Sequence, residues 1–515
     1  MLAGYESTVL EPPLSDWPAT LRTLANVGLQ TLRTSARRRL IHAAHAYRQR
    51  LTEIGRRAEL LTQDVSLLTG DPDHSPIIMT GHQPVFFHSG LTFKYETAEQ
   101  FAATHQAIGV AVVIDTDEGD AGGFSFPSRG SSAADQNASA ASLRTESATF
   151  GQESSLYCAG KRKTSADIRK ESQRVSAGLN ACGCEPAAWS FSTVAEQYAR
   201  LETESMMEAN LIVRWNAGIG GRLLELSLST LCGFPETMQF FAQILSRPFE
   251  FAQCYNSSLD EFRSEQKIRN EANPFPNLRY ENSYTELPFW IVDMQAGTRQ
   301  IVSVRQQGFE RTLEIPDGLR IEILPGNETA SLFSLMVGGR CLIPRGALIT
   351  AAMRILFSDL LVHGTGGGRY DRYTDRLIQK WWDVEPTPFA VASASRYLFS
   401  EERTKLLHLQ KIAEQLRDLQ FNPQRYLGAA IFSAGTEEML KSRLTEKDTA
   451  IAQLKTARES GQSAQEAGRQ IQRLGDAIKS IVTADFEDQL KELNAIPQEN
   501  IAVWTSRTWP WMCFA

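Results

Sequence analysis

The stretch PIIMTGHQPVFFHSGLTFKYETAEQFAATHQAIGVAVVID, residues 76–115, decides the fold. Its first apolar run, Ile77 to Met79, reads as a short strand, and Gly81, Pro84, Ser89 and Gly90 break any regular period after it. From about Leu91 to Ile108 the residues Leu91, Tyr95, Ala98, Phe101, Ala102, His105 and Ile108 recur at helical spacing. Val110 to Asp115 then runs apolar almost to its end, as a strand buried on both faces must. Strand, loop, helix and strand make a βαβ unit, which predicts an α/β protein with a parallel-sheet core. Open α/β sheets bind their ligands beyond the carboxyl ends of the strands. Two of the eight histidines, His82 and His88, fall at that edge, as does the acidic turn DTDEGD, Asp115 to Asp120.

A chain of 515 residues, 42% hydrophobic and 22% charged, can bury a large core and divides into on the order of two to four structural units. Its formal charge of -7 argues against nucleic acid or an anionic membrane surface as partner. The start, MLAGYESTVLEPPLSDWP, lacks the basic and apolar regions of a signal peptide. No stretch reaches the ~18–20 apolar residues of a membrane span. A cytoplasmic protein is therefore expected. Seven scattered cysteines suit reduced thiols, and the Cys182/Cys184 pair has no second pair at zinc spacing, so it reads as a plain loop.

Residues 1–75 read as an N-terminal helical segment. Within it Leu40, Ile41, Ala44, Tyr47, Leu51 and Ile54 share one helical face between Ser35 and about Leu61, with His42 and His45 as surface residues. Residues 76–395 form the core, with inserted segments over about 120–280. The Gly/Ser/Ala-rich part from Gly119 to Thr164 predicts a mobile surface excursion, and Val194 to Arg269 a helical layer. Strand-like pieces follow at LPFWIVD, QIVSV and RIEIL.

In LIPRGALITAAMRILFSDLLVHGTGGGRYDRYTDRLIQKWW, residues 342–382, Leu348, Ala352, Ile355, Leu356, Leu360 and Leu361 predict one helix ending at His363. The glycines of GTGGG would let backbone approach a ligand, and the following helix would offer N–H groups to an anion. A plain glycine-rich cap and turn is the alternative, since neither the P-loop nor the dinucleotide fingerprint is matched. PFAVASAS, Pro388 to Ser395, reads as a further core strand. Leu409, Ile412, Leu416 and Leu419, then Ile471, Leu474, Ile478 and Ile481, predict an antiparallel coiled-coil hairpin within 396–497. Residues 498–515 are apolar enough to return to the core as a terminal strand.

Together TGHQP (Thr80 to Pro84), DTDEGD and IPRGALITAAMRILFSDLLVHGTGGGRYD resemble the family of the bacillithiol-biosynthesis enzyme that adds cysteine to a glucosaminyl-malate. The family usually carries Gln at the position of His82, a histidine within the acidic turn, and a Gly-Gly-Pro-Gly-Glu type of turn where GTGGG stands here. The resemblance implies a Rossmann-like core with inserted segments and a C-terminal coiled coil that carries a homodimer contact. That interface would fall within residues 400–495, where Leu406, Leu440, Leu444, Ile451 and Leu454 add apolar surface.

On that plan one cleft gathers Thr80, Gly81, His82, Gln83, His88, Lys94, Asp115, Asp117, His363, Gly364, Gly366, Gly367, Gly368, Arg369, Tyr370 and Asp371. The first reading is a ligase or transferase forming a C–N bond on small polar substrates. His82 or His363 would be its general base, Lys94 and the Gly366–Gly368 amides would hold a carboxylate or phosphate, and Asp115 or Asp117 would orient an ammonium or a magnesium ion. The second is a hydrolase with a divalent metal, zinc or manganese, on His82, His88, His363 and Asp115 or Asp117. The third is a non-catalytic coiled-coil scaffold. Whether a nucleotide or a divalent metal serves as cofactor stays open, since no ATP motif is present.

Overall fold

The computed structural model describes residues 4–21, 27–130, 142–270, 272–281 and 283–515. Residues 1–128, 145–396 and 507–515 form one compact unit, and residues 129–144 and 397–506 a second.

The first unit is a mixed α/β structure around a six-stranded sheet. Its strands β1 (Ser7–Glu11), β2 (Ile77–His82), β3 (Ile108–Val113), β4 (Leu224–Ser227), β5 (Leu360–His363) and β6 (Phe389–Ser395) lie in the order β1-β6-β5-β2-β3-β4. All run parallel except β1, which pairs antiparallel with β6 at the edge. Four helices position the carboxyl edge of this sheet: α1 (Val27–Arg57), α2 (Ser89–Thr104), α3 (Ala347–Leu356) and α4 (Thr365–Trp382).

Side chains alternate along each strand. Ile77, Met79, Val110, Val112 and Leu361 join one apolar cluster with Leu40 of α1, Leu348 and Ala351 of α3, and Tyr373, Leu377 and Ile378 of α4. Those three helices therefore cover one face. Ile78, Ala111, Val113, Leu360 and Val362 point the other way and are also buried. That second face is covered by α2, which packs on β2, β3 and β6 and buries Phe93, Tyr95, Ala98 and Phe101. Burying side chains of this kind contributes about 1.5–3 kcal/mol apiece.

The α2 helix begins where His88 caps it, its Nδ1 accepting from the Gly90 N–H at 3.0 Å. It ends before Gln106, whose φ of 51° turns the chain out of the helix. From β2 the chain passes over the α2 face to β3, and from β5 over the α4 face to β6. Because β2 and β5 are neighbours, the winding of the sheet reverses between their carboxyl ends.

Several expectations need correction. The helix expected to run to His363 ends at Leu356, and Leu360–His363 is a central strand. A short buried apolar run carries no period that separates strand from helix. GTGGG is the first turn of α4 instead of a loop before it. The expected helical layer from Val194 to Arg269 also holds β4, and the N-terminal segment holds β1. Of the expected surface excursion, Gly123–Arg129 and Leu143–Thr149 pair as a two-stranded sheet, and residues 131–141 lie outside the described residues. The strand-like pieces at 287–324 belong to an antiparallel sheet of five main strands, Tyr284–Asp293, Thr298–Gln307, Glu310–Glu314, Arg320–Ile323 and Arg340–Pro344.

The second unit is helical, with long helices Ser400–Phe421, Ala434–Glu459 and Gln465–Asp485. The two predicted apolar runs lie in the first and third, which pack together, and the second helix packs on the third. Ile412, Leu419, Leu440, Ile478 and Val482 share their core with Phe432 and Phe486. The long segment between the two runs is thus itself a core helix. No terminal strand forms: 498–505 is helical, and Trp511–Cys513 is a single tight turn with Trp509, Trp511, Met512 and Cys513 buried. The Trp511 N–H donates to the Phe87 carbonyl at 2.7 Å.

At the amino edge of the sheet Asp359 takes Arg33 at 2.7 Å and Arg37 at 2.8 Å, and accepts the Ile77 N–H at 2.8 Å. Asp359→Ala leaves two buried guanidinium groups without their carboxylate and is expected to cost about 3–5 kcal/mol of unfolding free energy, read from urea titration. A loss under about 1 kcal/mol would mean that the arginines find other partners.

Candidate functional site

The carboxyl edge carries two groups of polar side chains on opposite faces of the sheet. The register pairs Thr80 with Val362, so His363 falls opposite Gly81, and His82 lies one residue further along. With a period of two, the imidazoles of His82 and His363 project to different faces.

On the α2 face stand His82, His88 and Lys94. Lys94 is only 3% exposed, and its ammonium nitrogen donates to the Gly81 carbonyl at 2.7 Å. None of the ion pairs among the described residues gives it a carboxylate. Burial alone pulls its pKa down to about 7. Burial and the nearby Lys94 lower His82 to about 3, and burial with Arg507 lowers His88 to about 4. The Nδ1 of His82 lies 3.2 Å from the Gln83 carbonyl. Thr80 is fully buried and donates to the Val362 carbonyl at 2.9 Å, which ties β2 to β5. The two histidines therefore stand unprotonated at neutral pH, and Lys94 is divided between ammonium and amine, with no carboxylate paired to it. Lys94 stands on α2, against the Gly81 carbonyl, whereas the Gly366–Gly368 amides expected to hold an anion with it belong to α4.

On the opposite face His363 Nε2 lies 3.0 Å from Asp371 Oδ2. Asp371, 2% exposed, also accepts from Arg354 Nη1 at 2.8 Å and from Thr350 Oγ1 at 2.7 Å. Arg354 and His363 hold its carboxyl well below the usual carboxylate range, against the opposing effect of burial. An ionised Asp371 fixes the proton of neutral His363 on Nε2 and leaves the lone pair on Nδ1. A Cβ on Gly367 would sit 2.7 Å from that Nδ1, and one on Gly368 would sit 2.2 Å from Val391 Cγ2. Glycine at 367 therefore keeps Nδ1 uncovered, and glycine at 368 lets α4 approach β6. Nothing lies within 4 Å of the corresponding position at Gly364 or Gly366. Tyr370 is half-buried beside Phe275, and Arg369 is exposed.

The acidic turn is already committed to protein partners. Asp115 is buried and accepts from both the N–H and the hydroxyl of Ser229, and burial raises its pKa. Asp117 accepts from Gln83 Nε2 at 2.9 Å and from Arg299 Nη1 at 2.7 Å. Neither is free to orient a substrate ammonium. The expected metal cluster is not assembled either, since His82 and His363 diverge, and no three His, Cys, Asp or Glu side chains among the described residues are placed to hold a metal ion. The single cleft read from the sequence is thus two groups on either side of one sheet edge.

Sequence reading missed Arg354, Thr350, Ser229 and Arg299. The first two had a signal, because Thr350 and Arg354 are four residues apart on α3 and so share a helical face. Arg299, on a strand of the second sheet, had none. No protein-family model matches the chain and no curated protein matches it.

The neutral histidines make stability depend on pH. The unfolded chain takes up their protons near pH 6.5, whereas folded His82 and His88 resist until about 3 and about 4. The histidine contribution to stability is then complete above about pH 6.5 and falls as pH drops toward 4, with each histidine adding up to about 1.4 kcal/mol per pH unit. The H82N/H88N double variant, in which Asn keeps the cap of α2, should flatten that slope in urea titrations between pH 6.5 and 4.5. An unchanged slope would place the histidines in water.

Proposed function

We propose that the chain is a ligase or transferase that forms a carbon–nitrogen bond on a Rossmann-like core, joining an amino acid such as cysteine to a small amino-sugar conjugate. The observation that carries this reading is His363, with Nε2 against the buried, ionised Asp371 and Nδ1 left open by Gly367. An amine arrives as ammonium and has no lone pair until a base takes its proton. Nδ1 takes that proton, and Asp371 stabilises the imidazolium that forms. The freed lone pair attacks the carboxyl carbon of the amino acid, which has to arrive activated as an acyl phosphate or acyl adenylate, and the C–N bond forms as the C–O bond to the phosphate or nucleotide breaks and that group leaves with the bonding electrons. His82, His88 and Lys94, without a carboxylate partner, form the opposite wall, where a substrate carboxylate would favour their protonated forms.

The reading places the protein in the cytoplasm. Among the described residues no helix is long and apolar enough to cross a membrane. It also takes the helical unit as a homodimer contact, supported by exposed Leu407, Phe421, Met439 and Ile451 within residues 400–495.

Incubation with cysteine, glucosaminyl-malate and magnesium ATP as the activating co-reactant, followed by mass spectrometry, should show the conjugate. His363→Gln should lower kcat by about 100- to 10,000-fold with little change in KM, and Gly367→Ala should do the same by covering Nδ1. Absence of product with any common amino acid would overturn the reading. Light scattering at micromolar concentration should give the mass of two chains, and a monomer would remove the dimer proposal.

A further inference from the structure

A hollow of ≈ 510 Å³ lies on the α4 face, beside the edge formed by β6 and β1. Its wall includes Thr365, Arg369 and Arg372 from α4, Phe389 and Val391 from β6, and Glu11 from β1. That volume falls within the usual range for small-molecule sites, roughly 300–1,000 Å³. The two arginines are exposed, and among the described residues neither is paired with a carboxylate. This sets them apart from Arg354 and Arg376 of the same region, which hold Asp371, Asp375 and Glu265.

Arg369 and Arg372 are three residues apart on one helix, so their Cβ atoms stand about 5–6 Å apart on the same face. Each guanidinium presents a planar fork that suits a carboxylate or a phosphate. Phe389 and Val391 supply an apolar floor between the arginines and the strand. Glu11 on the rim repels a long polyanion and favours a compact ligand. The ring of Phe389 also stands 5.7 Å from the His363 ring, which ties this hollow to the base.

We propose that this hollow binds a compact organic dianion, with one anionic group on Arg369 and the other on Arg372 and the carbon skeleton on Phe389 and Val391. Its role as the acidic end of a substrate rests on the ligase reading; its binding does not. A dicarboxylate and a phosphate monoester share this chemistry.

Isothermal titration of the full chain at about 0.15 M salt, with succinate and with inorganic phosphate as separate probes, distinguishes them. Succinate should bind, and each of Arg369→Ala and Arg372→Ala should weaken it by about tenfold, with the double variant abolishing it. Both side chains are exposed, so far-UV circular dichroism and urea midpoints should stay at the wild-type values. His363→Gln should retain binding. Phosphate binding without succinate binding, lost in the double variant, assigns the site to a phosphate monoester. No binding of either probe, or binding that the double variant leaves intact, overturns the proposal. Succinate bound through the arginines by a protein that makes no conjugate would remove the ligase reading and leave the dianion site standing.

Discussion

One buried carboxylate, Asp359, joins the parts on which the carboxyl edge depends. It precedes β5, accepts the N–H that opens β2, and holds Arg33 and Arg37 of α1. Arg33 in turn donates to the carbonyls of Arg354, Ile355 and Ser358, the end of α3, where a helix gathers negative potential. A lone carboxylate in this place would be costly, and two arginines with backbone partners make it tolerable. The result is that β2 and β5 start in fixed register, so their far ends open side by side with α2 on one face and α4 on the other.

Charge is balanced very differently along the sheet. At the amino edge Asp359 is balanced by Arg33 and Arg37, and Arg214 with Glu225 at 2.6 Å repeats the pattern near β4. At the carboxyl edge His82, His88 and Lys94 have none, and desolvation leaves the histidines neutral and brings Lys94 down to about 7. Neutral bases cost the fold less than trapped cations. They also remain able to accept protons when an anion arrives, which a lysine already paired with an acid could not do. The Asp359 ion pairs and the unpaired group of His82, His88 and Lys94 thus occupy opposite ends of the same strands.

Much of this was legible from sequence. The βαβ unit from Ile77 to Val113, the strand at Phe389–Ser395 and the helicity of residues after 400 followed from hydrophobic period and strand-like runs. What escaped were short elements whose identity is set by tertiary pairing: Leu360–His363 is four residues long, as is Leu224–Ser227. Propensity within four apolar residues cannot choose between helix and strand. The candidate residues His82, His363 and Asp371 were found because unusual residues stood beside glycine. Arg299, which holds Asp117, lies 182 positions away, and only folding brings them together.

The misplacement of His363 by a helix boundary changes more than a label. Had Leu360 to His363 continued α3, the imidazole would face wherever that helix pointed, and no rule would relate it to His82. As a strand paired with β2, its direction follows from register alone: Thr80 meets Val362, and a period of two sends the next residue to the other face. Adjacent strand ends therefore present their imidazoles away from each other. His363 and the hollow beside Arg369 and Arg372 share the α4 face, while His82, His88 and Lys94 belong to the α2 face. A substrate that used both would have to lie across the strand ends where the winding reverses, with its amine toward His363 and a carboxylate toward Lys94. Its length would be set by the spacing of two neighbouring strands, about 4.8 Å, and by the side chains on either side, which is the scale of a small metabolite and far below that of a polymer.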